Sequence, residues 1–356
     1  MWQSALLGML GCLAALQAAH AQEPFYKNKR LTLLINFAPG GPSDIEGRLL
    51  AKHIVKHIAG SPQIIVQNRD GAGGLVGTNY VGEVGPRDGS MMGFFTGAAW
   101  KYVMEPDKHP VDFRTFEFIG YQPGSAVYYI RSDTPPGLKQ ASDVLKTTGL
   151  VAGGLAVESS KDLLIRLTLS MLGVPHKYIT GFRSSVTARL AVQRGEIHLH
   201  SESTPGYFGV VEPTLVKDGT VVPLYYDPHY DGTNFLVPKV LQGSSVLSFP
   251  EFYRKLRGGE PSGIQWDAYR TNLSVDGSML RTVVMPPGSP QAAQDALRTA
   301  LARLNDDKDY AADSMRAMQF VPHYETGADI NARTRQRLTV SPEIRAFVLN
   351  YMRGGK

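Results

Sequence analysis

Residues 31–50, LTLLINFAPGGPSDIEGRLL, constrain the fold of this chain more than any other stretch. An apolar run from Leu31 to Phe37 meets Ala38-Pro39-Gly40-Gly41, and a helical pattern begins at Ser43. The stretch therefore reads as strand, glycine turn and helix. Such a junction suits an anion. The first N–H groups of a helix lack partners within it and lie at the positive end of its dipole, while glycine lets a ligand approach the backbone closely. Phe37, Ala38, Gly40 and Gly41 are candidate contacts on this ground. Ser43 followed by Glu46 also matches a capping box, in which the two side chains satisfy free N–H groups. Ser43 and Asp44 thus have two readings, helix start or ligand contact. A capping serine still keeps its hydroxyl proton for a ligand oxygen.

Residues 1–21 read as a secretory signal peptide. Ala5 to Leu16 is an apolar h-region, and Ala19-His20-Ala21 is a small-x-small cleavage site ahead of QEPFYKNKR. The run is too short to span a membrane comfortably, and no Lys or Arg precedes it. Cys12 follows Met9-Leu10-Gly11, a poor lipobox with more apolar sequence beyond it, so removal with the leader is expected rather than lipidation. It is the only cysteine. A mature chain without it has no disulfide and no thiol chemistry. The net charge of +5 lies wholly outside the leader and forms no basic block. That argues against nucleic acid and suits an anionic small molecule.

The remaining length exceeds one ordinary core and suits two lobes. Strand-like and helix-like stretches alternate, which predicts α/β architecture with largely parallel sheets. No internal repeat or low-complexity tract is present. Ile64 to Gln67 reads as a short strand, residues 68–74 as a second turn running into a helix, and Met91 to Phe95 as a third strand ending at Thr96-Gly97. These make βαβαβ, with the turns on one sheet edge, where open α/β sheets bind ligands. Gly71-Ala72-Gly73-Gly74 lacks the order of a dinucleotide fingerprint and reads equally as tight helix packing.

Residues 37–44, residues 68–74, Arg87-Asp88-Gly89 and Thr96-Gly97 resemble, in order and spacing, the amino-terminal lobe of the Bug receptors. These are the TctC-like periplasmic solute-binding proteins of tripartite tricarboxylate transporters. The resemblance continues more faintly through the rest of the chain. It implies a type II, Venus-flytrap fold of two α/β lobes that closes on a small di-, tri- or aromatic carboxylate. The ligand would be held by backbone N–H groups, small hydroxyls and water, which neutralise charge without the desolvation of a full counter-ion. It also implies a monomeric periplasmic receptor without cofactor, metal or enzymatic activity, delivering to one large and one small membrane subunit. Thr96 and Gly97 join the candidate site by this resemblance.

The lobes are expected at residues 22–125 and 251–356 for the first and 126–250 for the second. Ala126 to Arg131 reads as the second lobe's first strand, Leu150 to Gly153 as the next, and a helix follows near Ser159 and Ser160. These two serines fall where the resembling family has small hydroxyl residues at a ligand-facing helix start. Glu158 and Asp162 depart from its neutral pattern there. Gly181-Phe182-Arg183-Ser184-Ser185, between a short strand (His176 to Ile179) and a helix to Arg194, resembles the family's Pro-Tyr-Lys-Gly-Gly loop. Phe182 would take the aromatic place and Arg183 the basic one. An arginine there pairs with a carboxylate through two hydrogen bonds or is an ordinary solvated loop residue. Ile197 to His200 reads as a strand, followed by Ser201, Glu202, Ser203 and Thr204 at the cleft edge. The serines are candidate donors or the start of a Pro205 helix. Glu202 would repel a carboxylate unless it pairs with Arg183 or faces a donor. Leu280 to Met285, Gln291 to Leu304, Tyr310 to Met318 and Pro342 to Met352 complete the return. A return crossing makes a hinge of two or more strands.

Enzyme signatures are sparse. His53 and His57 lack the glutamate of a zinc protease motif and read as an exposed helix face. His198 and His200 share a strand face without a third ligand, and no G-x-S-x-G elbow or Walker loop occurs. Phe37, Trp100, Tyr128, Tyr129 and Phe182 form either an apolar wall for a ligand or ordinary core and hinge packing. A sensor receptor and an exported α/β enzyme are the alternative classes.

Overall fold

A computed structural model describes residues 23–182 and 184–354. The leader, Cys12 and Arg183 lie outside the described residues.

Two six-stranded mixed sheets organise the chain. The strands of the first are β1 (Arg30–Ile35), β2 (Gln63–Asn68), β3 (Met91–Thr96), β4 (Glu117–Gln122), β13 (Arg281–Met285) and β14 (Glu325–Thr326). Their order is β14-β4-β13-β3-β1-β2. The second sheet holds β5 (Ala126–Arg131), β6 (Leu150–Gly153), β7 (His176–Ile179), β8 (Leu199–Ser203), β9 (Val221–Tyr226) and β12 (Leu247–Ser248), in the order β12-β9-β5-β8-β6-β7. A hairpin of β10 (His229–Tyr230) and β11 (Phe235–Leu236) stands apart.

The expected βαβαβ is present: β1 runs parallel to both β2 and β3, connected by helices α1 (Pro42–Ile54) and α2 (Leu75–Glu83). The sheets are not largely parallel, however. β13 is antiparallel to β3 and β4, and β5 is antiparallel to β8 and β9. Both are strands that arrive from the other lobe, without the right-handed helical crossover that sets a parallel neighbour. Helix α3 (Ala98–Met104) follows β3 directly, and in the second lobe α4 (Ser160–Met171) and α5 (Ser185–Gln193) follow β6 and β7.

β1 and β3 read as nearly continuous apolar runs because helices cover both faces. Leu33, Ile35, Phe94 and Val283 pack with Leu297 and Leu301 of α8 (Gln291–Leu304) on one side. On the other side Phe95, Trp100 and Phe113 belong to a cluster that continues into the second lobe through Tyr128, Leu164 and Tyr269.

The chain crosses to the second lobe at residues 123–125 and returns later than the expected Glu251. Helices α6 (Phe249–Arg257) and α7 (Ile264–Asn272) still pack on the second lobe, α6 against β9 and β12 and α7 against α4. A short π-helical turn, Leu273–Gly277, then leads to β13. Burial of Phe249, Phe252, Ala268 and Tyr269 in the second lobe's core delays the crossing. Three helices finish the first lobe: α9 (Lys308–Met318) against α1, α10 (Ile330–Arg337) over β4, and α11 (Pro342–Met352), which touches both α3 and α7. No described helix is long and apolar enough to cross a membrane.

Candidate ligand-binding site between the lobes

In the first lobe, Asn36 at the end of β1 is fully buried and pins the neighbouring strand ends. Its side-chain oxygen accepts from the Thr96 N–H at 3.0 Å, and its amide donates to the carbonyls of Thr96 at 3.2 Å and Gly74 at 3.3 Å. Sequence reading missed it, although a polar residue ending an apolar strand was the available signal. The Ser43 and Thr96 hydroxyl oxygens stand 2.8 Å apart, joining the first turn of α1 to the end of β3. Phe37 is half-buried, Ala38 and Gly40 are exposed, and Gly41 and Gly97 are half-buried. Gly40 has φ 79°, which a glycine adopts without strain.

The expected capping box is absent. Gly41 is the N-cap of α1, Pro42 its first residue, and Ser43 lies inside the helix. Glu46 turns inward to Arg281 Nε at 2.8 Å and the Tyr324 hydroxyl at 3.2 Å. Asp44 instead organises the glycine bend. Its carboxylate accepts from Gly40 N–H at 2.9 Å, Arg48 Nε at 2.9 Å and Asn68 Nδ2 at 2.8 Å. Burial raises its pKa, and these three bonds outweigh that and hold it below the ordinary value. The Gly40 N–H, a natural donor for a ligand, is therefore already engaged.

In the second lobe Ser159 caps α4, accepting from Asp162 N–H at 3.2 Å. Ser160 is buried and donates to Asn272 Oδ1 at 2.9 Å. The Asp162 carboxylate folds back to the Ala156 N–H, so this loop, like the Gly40 bend, fills a donor with the chain's own acid. Ser184 caps α5 in a reciprocal pair with Thr187. Ser201 and Ser203 lie on β8 rather than in a turn; the Ser201 hydroxyl is buried without a partner among the described residues, and Ser203 is half-buried. Glu202 pairs with Arg189 at 2.5 Å, both shielded. Phe182 is half-buried and packs against Gly153, where a Cβ would lie 3.1 Å from its ring.

Of the two readings of Tyr128 and Tyr129, core packing holds: both are fully buried in the second sheet, Tyr128 stacking on Tyr225 with ring centres 4.6 Å apart. One other expectation is corrected. His53 and His57 are not an exposed face: His53 is buried 3.0 Å from Asp313, and His57 lies 2.8 Å from Asp307, fastening α1 to α9. Among the described residues no group of three or more His, Cys, Asp or Glu is placed to hold a metal ion.

A cavity of about 390 Å³ is walled by both lobes. Trp100, Lys101 and Met104 of α3, which starts just after Thr96–Gly97, face Val157 and Glu158, which lead into Ser159–Ser160. Leu349, Met352 and Arg353 close it. Lys101 reaches back over the second turn: a Cβ at Gly73 would lie 3.0 Å from its Nζ. Gly40, Gly41 and Ser43 do not line this cavity; the Ser43–Thr96 pair connects them to the start of α3. Asp276 is buried, and the Ser160 hydroxyl, Arg281 and Lys101 favour its charged form. Burial pushes its pKa up to about 6 against those three influences.

No protein-family model matches the chain. Among curated proteins, Protein BugT of Bordetella pertussis is 36% identical over 76 residues, 21% of this chain and 23% of that protein. A UPF0065 protein of Agrobacterium vitis is 29% identical over 172 residues, 45% of this chain and 48% of that one. The chain thus matches less than half the length of either relative. The solved periplasmic binding protein BugD superposes with a TM-score of 0.62 at 17% identity, covering 93% of this chain and 99% of that one. A TctC solute-binding protein from Polaromonas gives 0.64 at 18%, covering 92% and 99%. MatC of Rhodopseudomonas palustris with bound malate gives 0.58 at 16%, covering 91% and 99%, and an adipate-bound protein of that organism gives 0.58 at 17%, covering 91% and 95%. Two lobes on mixed sheets and superposition over nearly the whole chain give this protein the fold of the periplasmic binding proteins BugD and TctC, and part of its sequence is similar to BugT and the UPF0065 protein.

Proposed function

We propose that the chain is an exported periplasmic receptor that captures a small carboxylate between its lobes and delivers it to a tripartite tricarboxylate-type membrane transporter. The cavity shared by α3 and the Val157–Glu158 loop carries this reading, since each wall adjoins a strand-end turn of its own lobe. A guest bound there touches both lobes and favours the closed arrangement by its differential contacts. Phe37, Ala38, Gly41, Ser43, Thr96 and Gly97 on one side and Ser159, Ser160, Ser201 and Ser203 on the other do not line this cavity; in this reading they reach the guest as the lobes close on it. Malate and adipate, bound by two proteins of this fold, are carboxylates of suitable size for about 390 Å³. A larger groove of about 700 Å³ is a weaker candidate. Its Arg270 and Arg333 already pair with Asp267, Glu325 and Asp329, and Arg337 donates to the Tyr121 hydroxyl.

The test is a thermal-shift and calorimetric screen of mono-, di- and tricarboxylates against protein recovered from the periplasm, with the acid assayed afterwards. At least one acid raises the melting temperature and is recovered unchanged. No shift with any acid, or conversion of the acid to product, would overturn the reading. Intact mass of the recovered protein starts at Gln22 if the leader is removed after Ala21.

A further inference from the structure

Lys161, the second residue of α4, points into the second lobe. Its ammonium donates to Ser185 Oγ at 2.9 Å and lies 3.3 Å from His200 Nε2. His200 is fully buried with Nδ1 2.7 Å from the Gly153 carbonyl, an acceptor only. The proton therefore sits on Nδ1, and Nε2 presents a lone pair to Lys161. Both partners of the ammonium are neutral, and its third N–H has none among the described residues.

The surrounding charges do not supply a counter-ion. Glu202 is committed to Arg189, and Asp162 to the Ala156 N–H. Among the described residues no carboxylate forms an ion pair with Lys161. Burial lowers the Lys161 pKa, Glu202 and Asp162 pull it back, and Arg189 opposes them. A shielded ammonium whose hydrogen-bond partners are both neutral is costly, and an anion brought by a ligand would relieve that cost. On β8, next to His200, the Ser201 hydroxyl is buried and has no partner among the described residues. Lys161 joins the starts of α4 and α5 to β8, so this charge stands among the elements that carry the second lobe's candidate serines.

Resting on the receptor reading above, we propose that Lys161 is the counter-charge for one carboxylate of a dicarboxylate ligand, its free N–H bonding an oxygen of that group in the second lobe. The other carboxylate meets the strand-end turns around Ser43 and Thr96. An acid with a single carboxylate satisfies only one lobe, so the ammonium selects for a second negative charge.

Calorimetry with malate and adipate on wild type, Lys161→Met, Lys161→Arg and the surface control Lys217→Met decides the matter. Lys161→Met weakens dicarboxylate binding about tenfold or more, its unliganded melting temperature stays level or rises, and Lys161→Arg retains most of the affinity. Wild type that binds malate or adipate equally well after Lys161→Met overturns this inference and leaves the receptor reading standing. A fall in unliganded stability that Lys161→Arg does not restore makes the residue structural and also overturns it. Wild type that binds no carboxylate at all defeats the receptor reading first, and this inference with it. Should Lys161→Met fail to fold, Lys161→Gln against Lys161→Arg reads the same contrast.

Discussion

Glu46 and Arg281 form a buried ion pair at 2.8 Å across 235 residues of sequence. It fastens α1, the helix that opens at the glycine bend, to β13, the strand by which the chain re-enters the first lobe. The Tyr324 hydroxyl donates to the other Glu46 oxygen at 3.2 Å, so the carboxylate is paired on both sides.

Removing one partner of such a pair leaves an uncompensated buried charge. Arg281→Met is expected to destabilise the protein by about 3–5 kcal/mol, measured as a lowered urea midpoint. Restoring neutrality with Glu46→Gln in the same chain recovers part of that loss. An additive double mutant would show that the two side chains do not interact.

The hydroxyl pair of Ser43 and Thr96 is a functional prediction. Ser43→Ala and Thr96→Val each remove one hydroxyl at the strand ends and are expected to weaken carboxylate binding about tenfold, the equivalent of ~1.4 kcal/mol. The unliganded melting temperature is expected to change little. Unaltered affinity in both variants would remove the pair from the site.

Two buried acids are expected to contribute stability that is lost as pH rises. Asp227, held by the Tyr128 hydroxyl at 2.8 Å and the Tyr269 hydroxyl at 3.0 Å, has its pKa pushed by burial to about 7, against those two bonds. Between the unfolded value of 3.8 and about 7 the folded state binds the extra proton. The contribution of this group is complete below the unfolded value and is lost as pH rises through 7, on the order of 4 kcal/mol at about 1.36 kcal/mol per pH unit. Asp276, raised to about 6 by burial, acts in the same direction. Buried His109 and His200, whose pKa values burial lowers, act in the opposite sense, so the Asp227 contribution is read as a difference: from pH 5 to pH 8 the urea midpoint of wild type should fall relative to that of Asp227→Asn. A difference that moves in favour of wild type over this range contradicts the assignment.

Asp307 works in the opposite sense. Besides meeting His57 and Lys56, it caps α9 by accepting from the N–H groups of Asp309 and Tyr310. Burial raises its pKa, but the Lys56 and His57 bonds and those N–H groups hold it far below the ordinary value, so its stabilisation is present above the unfolded value and fades in acid. Asp307→Ala is expected to cost about 2 kcal/mol near neutral pH, the upper end for a lost cap. The deficit should shrink below pH 3 in acid titrations followed by circular dichroism.

Local pattern was sufficient where neighbours in sequence make the element. The run Leu31 to Phe37, the glycines and the helix after them became β1, the bend and α1, and Gln291–Leu304 formed the helix its spacing foretold. Partner choice was not legible. Asp44 takes the Gly40 N–H because the first turn of α1 swings its carboxylate back over the bend. Glu202 meets Arg189, since α5 lays Arg189 across β8. His53 and His57 looked exposed because α9, which carries their acids, lies some 250 residues further on.

Periodicity, turn residues and the ordered glycine motifs by themselves determined the alternation of strands and helices, the βαβαβ start and the division into two lobes, since each rests on backbone geometry within a few residues. Which buried donors are already satisfied, which ammonium is left without a counter-ion, and where the chain recrosses between lobes were decided only by the tertiary structure. Those outcomes depend on desolvation and on contacts between segments that only folding brings within hydrogen-bond reach.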